Sequence, residues 1–200
     1  DLDSSSSVNF KDFVLAAKQY HKLHPNLLGW WRFNETQGRT VLDQTNYNNH
    51  GSFVNNPVRT QWTLDGAISF DGENDYIEIP NESHFDVTRQ ITISFWMKVK
   101  YFFTSYQTLI SKGTNFVIYR NNDSDALGFY ADGLGPPLVT MKNINDGKWH
   151  HIVVTYDGSE KRFYIDSQLE GSSTFTGTIQ TNDLPVWIGA DSSELFPNFN

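Results

Sequence analysis

The stretch AISFDGENDYIEIP, residues Ala67–Pro80, decides the fold. Apolar and polar residues alternate in its first half, around Ile68 and Phe70, and again in its second half, around Glu78. Such alternation is typical of half-buried β-strands. The residues between the two halves accept positive φ or bond their own backbone, as turns require: Asp71, Gly72, Asn74 and Asp75. The stretch therefore predicts a strand, a turn and a second strand.

The part SFDGENDYIEI resembles the signature SFDG-x-x-DY-x-x-I of the laminin-G-like jelly rolls, within the concanavalin A-like lectin and glucanase superfamily. Further stretches resemble other family segments in the same order: LLGWWRFNETQG (27–38), DQTNYNNHGSF (43–53), ITISFWMKV (91–99) and GKWHHIVVTYDGSEKRFYIDSQLEG (147–171). In the second of these, Tyr47 stands where the family usually has Gly. The resemblance spans residues 27–190. It implies an all-β fold, an antiparallel two-sheet jelly-roll sandwich.

The rest of the chain shows a matching rhythm of strands. Short apolar runs recur between clusters of Gly, Asn, Asp and Pro, which favours an antiparallel sandwich. The predicted strands are 28–33, 50–54, 67–70, 76–79, 91–99, 108–112, 116–120, 127–131, 149–156, 162–165 and 186–188. We expect residues 27–200 to form this jelly roll. The resemblance further implies that the closing strand of the family would begin about where Asn200 stands, so we expect its slot to be filled by downstream sequence or by a neighbouring chain.

Composition restricts the classes of function. The chain of 200 residues has a net charge of −8, a pI near 5.1 and no run of Lys or Arg, so nucleic acid is not an expected partner. It contains no cysteine, so neither disulfides nor thiolate chemistry are expected. No stretch reaches the length of a membrane span, so no membrane insertion is expected. Three N-x-(S/T) sequons, at Asn34, Asn81 and Asn122, are candidates for glycosylation and fit an extracellular or cell-surface protein.

The segment Asp1–His24 differs from the rest. Its apolar residues recur at helical spacing from Phe10 until Pro25, which predicts one helix. Before the helix, oxygen-bearing side chains occupy positions 1, 3, 5, 7, 9 and 12 of a loop: Asp1, Asp3, Ser5, Ser7, Asn9 and Asp12. This spacing is that of a calcium-binding EF-hand loop and resembles half of a dockerin repeat. Calcium is therefore the predicted cofactor.

Two departures from that pattern leave an alternative. Ser5 replaces a charged ligand and Ser6 replaces the Gly of the sharp turn, so calcium would bind weakly. The alternative is a Ser-rich linker whose Asp and Asn residues cap the helix. Under either interpretation residues 1–24 form an appendage, and the linker Leu23–Asn26 separates it from the jelly roll.

Three carboxylates raise the possibility of catalysis. Glu73, Asp75 and Glu78 form E-x-D-x-x-E, the spacing used by glucanases on this fold. Retaining hydrolysis needs two carboxyl groups about 5 Å apart over a cleft. Here Glu73 falls in the turn, and Asp75 belongs to the fold signature. We therefore expect no catalytic residues. No zinc pattern is present, since His150 and His151 are adjacent and face opposite ways in a strand. The resemblance places Trp149 and His150 in the W-H-H-x-x-x-T-Y strand of the family, which implies a structural role for both.

A polar and aromatic rim is the remaining candidate for a binding site. Aromatic faces that stack on sugars and side chains that bond hydroxyls occur together in two predicted loops. The candidate ligand-binding residues are Asp43, Asn46, Tyr47, Asn48, Asn49, His50, Tyr101, Phe103 and Tyr106. The alternative is that the Asn and Asp side chains stabilise the first loop and the aromatics fill one end of the sandwich.

The sequence thus predicts a non-catalytic extracellular module that recognises carbohydrate or another polymer. A structural subunit of an extracellular assembly, held by docking of the N-terminal segment or by strand complementation, is the alternative. A glucanase-like hydrolase is the third possibility.

Overall fold

A computed structural model describes residues 26–62, 65–102, 106–122 and 124–193. The predicted calcium loop and helix, residues 1–24, lie outside the described residues. Within them, the elements are a short 3-10 helix, Glu82–Phe85, and the strands β1 (Thr40–Val41), β2 (Gly51–Val54), β3 (Val58–Gln61), β4 (Gly66–Ser69), β5 (Tyr76–Ile79), β6 (Ile91–Lys98), β7 (Thr108–Lys112), β8 (Phe116–Arg120), β9 (Leu127–Tyr130), β10 (Leu138–Val139), β11 (Trp149–Tyr156), β12 (Glu160–Ile165), β13 (Gln168–Thr174) and β14 (Val186–Ile188).

The larger of the two main sheets has eight strands in the order β1-β2-β5-β14-β7-β8-β9-β10, all antiparallel. Its central strand β8 is buried at all five positions, so both of its faces are covered. This explains why the sequence FVIYR shows no alternation of apolar and polar residues.

The smaller sheet has four strands in the order β13-β12-β11-β6. Strands β6 and β11 pair over eight residues each and alternate strictly, with one face toward the core and the other outward. Strands β12 and β13 form a hairpin through Asp166 and Ser167, which have φ of 53° and 68°. Positive φ at both turn residues is the geometry that matches the twist of a two-residue hairpin.

Strands β3 and β4 form a separate two-stranded ribbon. Gly66, the first residue of β4, lies against the chain near Phe33, where a Cβ atom on Gly66 would lie 1.8 Å from the Phe33 carbonyl oxygen. Only glycine fits this close approach. The ribbon is thereby fixed against the segment that precedes β1.

The hydrophobic core lies between the two main sheets. Fully buried side chains come from the larger sheet, such as Ile77 and Phe129, and from the smaller sheet, such as Val154 and Phe163. The Tyr156 hydroxyl, also in the core, donates to the carbonyl of Gly177 and accepts from its N–H, both at 2.9 Å. Within the described residues, no helix has the length and hydropathy needed to cross a bilayer. The predicted all-β, antiparallel sandwich is confirmed.

One predicted strand is wrong. Residues 28–33 contribute only an isolated bridge between Trp31 and Asp43. The N–H of Trp30 donates to the Asp43 carboxylate at 2.8 Å, and Phe33 adopts a φ of 57°. The first feature removes a backbone donor from any strand pairing, and the second takes Phe33 out of the extended conformation that a strand requires.

Candidate functional site

Asp43 is the hydrogen-bond centre of the loop between β1 and β2. It is 4% exposed. One carboxylate oxygen accepts from the N–H groups of Trp30 at 2.8 Å and Thr45 at 3.0 Å. The other accepts from the N–H of Asn49 at 2.9 Å and the Thr45 hydroxyl at 2.5 Å. Four donors fill the acceptor sites of a carboxylate, so this side chain is committed to holding the loop together.

Asn49 and His50 are also engaged inside the loop. The Asn49 side chain is fully buried, and its NH2 group donates to the Leu28 carbonyl at 2.7 Å. Its amide oxygen lies 2.6 Å from Nδ1 of His84. His50 uses Nδ1 to accept from the N–H of Asp43 at 3.0 Å. These contacts join the loop to the 3-10 helix and stabilise its conformation.

Three candidates of this loop remain on the surface: Asn46, Tyr47 and Asn48. Tyr47 is 39% exposed, and its ring centroid lies 5.3 Å from that of His84 in an edge-on contact. Asn48 has a φ of 53°, which asparagine tolerates better than most residues, and its NH2 group donates to the Asn46 carbonyl at 3.2 Å. This loop therefore presents one aromatic ring and two short amides to solvent.

The second predicted loop carries exposed aromatic surface as well. Tyr101 is 61% exposed, and the Lys100 ammonium lies 5.1 Å from its ring centroid. Tyr106 has a φ of 59°, and its ring centroid lies 6.2 Å from that of Tyr119. Phe103 lies outside the described residues.

These two loops lie at opposite ends of the larger sheet. The loop Asp43–His50 leads into β2 beside Ile79, the last residue of β5. Ile79 pairs with Val186 of β14, and the register of β14 on β7 places Val186 beside Lys112. The second loop leads into the other end of β7, at Thr108. Four residue steps of strand span about 13 Å, so the two loops do not share a single sugar subsite.

The E-x-D-x-x-E carboxylates have different surroundings. Asp75 is buried, and its two oxygens accept from the N–H groups of Asn56 at 2.8 Å and Asp71 at 3.2 Å. Glu78 lies on β5 and accepts from the indole N–H of Trp187 at 3.1 Å. Glu73 is exposed in the turn. Asp75 therefore holds the turn before β5, as the fold signature implies.

His150 is buried at the start of β11 and contacts two exposed carboxylates. Its Nδ1 lies 2.8 Å from a carboxylate oxygen of Asp166, and its Nε2 lies 3.1 Å from one of Asp146. Since carboxylate oxygens only accept, both contacts are satisfied when each ring nitrogen carries a proton. Lys142 adds a further ion pair to Asp166 at 2.9 Å. His150 thus ties the start of β11 to the β12–β13 turn, consistent with the structural role expected for it.

A cluster of stacked rings covers part of the outer face of the smaller sheet. It consists of Trp62, Trp96, Trp149 and His151, and is called here the aromatic platform. Trp62 stacks on Trp149 with ring centroids 4.5 Å apart and planes at 27°, and contacts Trp96 at 5.0 Å. Trp96 stacks on His151 at 5.0 Å and 24°. Trp96 is 41% exposed, so aromatic surface remains open to solvent.

The backbone explains how the aromatic platform is assembled. Trp96 on β6 and His151 on β11 are directly opposite each other, and directly opposite residues of an antiparallel pair share a face. The Ser94 hydroxyl lies 2.9 Å from His151 Nε2. Burial lowers the pKa of His151, although the charge of Asp166 opposes this shift, so the ring is neutral at pH 7. His151 therefore adds no charge to the platform at pH 7.

This platform was not among the predicted binding sites. Trp149 was expected to be structural, and its stacking on Trp62 is a contact between segments far apart in the chain. A usable signal was nevertheless present. In ITISFWMK the outward positions are polar except Trp96, and an isolated indole on a solvent-facing strand position is unusual.

The remaining predicted sites have different outcomes. Asn34, Asn81 and Asn122 are exposed, which makes the three sequons accessible while glycosylation itself stays a prediction. The six predicted calcium ligands precede the described residues. Across the part of the chain that the structure does describe, no group of three or more His, Asp or Glu side chains is placed to hold a metal ion.

The curated relatives that this chain matches are much longer proteins. Human protocadherin Fat 1 is 24% identical over 101 residues, which is 50% of this chain and 2% of that protein. The chain spans 2% of the length of the curated relatives it matches. The similarity therefore concerns a single module within a much larger protein.

Two solved structures share the fold. Domain 4 of AbnA, a GH43 extracellular arabinanase from Geobacillus stearothermophilus, solved in complex with arabinotriose, aligns with a TM-score of 0.59 and 18% identity over 74% of this chain and 77% of that chain. The binding domain of Paraclostridial Mosquitocidal Protein 1 aligns with a TM-score of 0.62 and 18% identity over 76% and 42%.

The family of this chain is assigned by a protein-family model, because solved structures at 18% identity show only a shared fold. The model described as the concanavalin A-like lectin/glucanases superfamily matches residues 71–200, more than half of the chain. The matched region begins inside the turn that was predicted from the sequence and includes both long strands of the smaller sheet. The chain belongs to the concanavalin A-like lectin/glucanases superfamily.

Proposed function

We propose that this protein is a non-catalytic module that binds carbohydrate on the aromatic platform. The observation that carries the proposal is the cluster of Trp62, Trp96, Trp149 and His151 on an outer sheet face, in which Trp96 is 41% exposed. Outer faces of antiparallel sheets are normally polar, and a contiguous apolar patch on such a face marks an interaction site.

The chemistry of the aromatic platform suits a sugar ring. An indole offers a wide, rigid apolar face to the C–H face of a pyranose or furanose at a low cost in conformational entropy. Hydrogen-bonding groups border the rings on the same sheet face. Ser94 precedes Trp96 by two positions on β6, and Lys98 follows it by two. Together these groups supply the combination of apolar surface and a few polar contacts that defines small-ligand sites.

The comparisons support the same class of ligand. The AbnA domain that shares this fold was solved with arabinotriose bound, and the mosquitocidal protein domain is described as a binding domain. The carboxylates of the E-x-D-x-x-E motif are engaged in the turn before β5 and with Trp187, which favours binding over hydrolysis. Human protocadherin Fat 1 and the three exposed sequons support an extracellular or cell-surface location.

Calcium binding by residues 1–12 is a separate proposal, which rests on the spacing of six oxygen-bearing side chains. Calorimetry on the protein and on a variant with Asp3→Ala and Asp12→Ala decides it. We expect binding in the micromolar to millimolar range for the original chain and none for the variant. Equal heats of calcium binding from the two proteins would show that residues 1–12 do not form the site.

A role as a structural subunit is favoured by one specific observation, the open edge of β6. Among the described strands, β6 pairs only with β11. Its four core-facing residues are partly exposed, whereas those opposite them on β11 are buried. An edge of this kind accepts an added strand from the same or a neighbouring chain.

The carbohydrate proposal is tested by binding to a glycan array, followed by affinity measurements on the best ligand. Trp96→Ala removes exposed platform surface, and we expect it to lower affinity tenfold or more, equivalent to about 1.4 kcal/mol. Tyr47→Ala is the matched control, because Tyr47 is an exposed aromatic in one of the predicted loops. We expect it to leave affinity unchanged.

The controls also separate the two candidate sites. Loss of binding with Tyr47→Ala and not with Trp96→Ala would show that the ligand binds at the loop Asp43–His50 instead. An array without any bound glycan, together with self-association that depends on β6, would favour the structural subunit instead.

A further inference from the structure

The accessible lysines of this acidic protein are distributed unevenly. The chain carries a net charge of −8. Of the six lysines in the described residues, Lys112 and Lys161 are buried. The other four belong to β6, to β11 or to the segments next to their paired ends: Lys98, Lys100, Lys142 and Lys148. The accessible lysines of the described chain thus gather at the end of the smaller sheet that carries the aromatic platform.

Lys98 borders the aromatic platform directly. It lies opposite Trp149 in the β6–β11 pairing and two residues beyond Trp96 on the same outer face. Directly opposite residues have Cβ atoms about 4.5–5.5 Å apart, so the Lys98 ammonium reaches any group that stacks on these indoles. Lys100 lies two residues after Lys98, just beyond the end of β6. The Gly147 N–H donates to the carbonyl of the intervening Val99 at 3.0 Å, which holds this segment beside the start of β11.

Two of the four lysines are neutralised and two are not. Lys142 pairs with Asp166 at 2.9 Å, and Lys148 pairs with Asp146 at 3.1 Å. Lys98 and Lys100 form no ion pair with any residue that the structure describes. The nearby carboxylates of Asp146 and Asp166 are already shared with His150 and with those lysines. The platform is therefore bordered by two ammonium groups that no carboxylate of the described residues neutralises, although that of Lys100 also lies over the Tyr101 ring.

We propose that the aromatic platform recognises an anionic carbohydrate, one that bears sulfate or carboxylate groups. The proposal rests on the proposed function and specifies its ligand: the indoles hold the sugar ring while Lys98 and Lys100 bind the anionic substituent. A lysine ammonium offers three donors on a flexible stem, which suits a charged group whose position varies along a polymer.

The experiment uses matched pairs of polymers, and affinity electrophoresis measures each dissociation constant. The pairs are polygalacturonate with its methyl ester, and chondroitin sulfate with its desulfated form. We expect the charged member of at least one pair to bind at least tenfold more tightly. The double variant Lys98→Ala and Lys100→Ala should reduce that preference to less than threefold while neutral binding is retained. The preference should also shrink in high salt, since exposed charges are screened.

Arg89→Ala provides the matched control, because it removes one exposed positive charge at the opposite end of β6. We expect no change in preference. A similar loss in Arg89→Ala and in the lysine variant would show a response to net charge alone and overturn the proposal. Equal binding of polyglutamate would overturn it too, since the sugar would not be recognised.

The remaining outcomes separate this inference from the proposed function. Equal affinity for charged and neutral polymers, with loss of both in Trp96→Ala, would overturn the anionic ligand and leave carbohydrate binding intact. No binding of any polymer would overturn both.

Discussion

The carboxylate of Asp43 accepts four hydrogen bonds while almost fully buried. Replacing it with alanine leaves three backbone N–H groups and a hydroxyl without their acceptor. An unpaired buried polar group costs about 1 to 3 kcal/mol, so we expect Asp43→Ala to lower the free energy of unfolding by about 3 kcal/mol or more. Urea denaturation followed by circular dichroism measures the change.

Asn46→Ala is the control in the same loop, because Asn46 is exposed. Surface substitutions of this kind change the free energy of unfolding by about 0.5 kcal/mol or less. If Asp43→Ala were as stable as Asn46→Ala but lost affinity for a glycan, Asp43 would be a ligand-binding residue and its assigned role in the loop would be wrong.

The ionic cluster around His150 makes stability sensitive to acid. Hydrogen bonds from the Lys148 N–H, and then from His150 and Lys148 side chains, lower the pKa of Asp146 to about 2. Burial raises the pKa of Asp166, but hydrogen bonds from His150, Lys142 and the His151 N–H outweigh it and lower that pKa to about 2.

Both folded-state pKa values lie below the unfolded value of about 3.9. The two carboxylates therefore stabilise the fold above about pH 4, and this contribution is lost as the pH falls toward 2. In Asp166→Asn the urea midpoint should fall less between pH 5 and pH 2.5 than it does in the original protein. Asp183→Asn, at an exposed aspartate, should follow the original curve. Parallel curves for Asp166→Asn and the original protein would contradict the assignment.

At the scale of the element, β6 and β11 have the same length and alternation but different surroundings. β11 is paired on both sides, with β6 and β12. Among described strands β6 is paired on one side only, and its core-facing positions are partly exposed. We expect alternate amides of β6 to exchange with deuterium much faster than those of β11, since unpaired N–H groups are accessible to water.

Hydrogen exchange resolved by peptide or by residue measures this difference. Faster exchange in β6 would support an edge that remains open to another strand. Equal protection of the two strands in a monomer would show that the edge is already covered, and would weaken the structural-subunit alternative. Light scattering on the same sample establishes whether it is monomeric.

Strands were predictable where apolar residues alternate or run together, as in β6, β8 and β11. The strands β3 and β13 were not predicted, because their sequences VRTQ and QLEGSST carry too few apolar residues to show a period. They form because a neighbouring strand supplies hydrogen bonds. The strand predicted at 28–33 was wrong for the opposite reason. An apolar run was present, but the Trp30 N–H donates to the Asp43 carboxylate and not to a neighbouring strand.

At the scale of the whole molecule, neighbours in sequence are not always neighbours in a sheet. The stretch Ala67–Pro80 was correctly predicted as two strands and a turn, yet β4 pairs with β3 and β5 pairs with β2 and β14. The turn between them joins two sheets. Alternation along one segment cannot reveal which partner it meets, because that choice depends on the packing of the whole chain.

The same limit explains the candidate site. The first predicted loop was identified by its polar composition, and the structure shows that much of that composition holds the loop itself. The aromatic platform combines residues 62, 96, 149 and 151, and no local pattern connects them. Only the order and register of β6 and β11 bring them together.

The stacking of Trp62, Trp96 and Trp149 has an optical consequence. Indole rings at 4.5 and 5.0 Å couple their electronic transitions, and these three rings are half of the six tryptophans in the chain. Much of the ultraviolet signal of the molecule therefore originates at one patch of its surface. A ligand that covers Trp96 replaces water beside the most exposed of these chromophores. Its binding should therefore shift the wavelength of the intrinsic tryptophan emission, so that it can be followed without an attached dye.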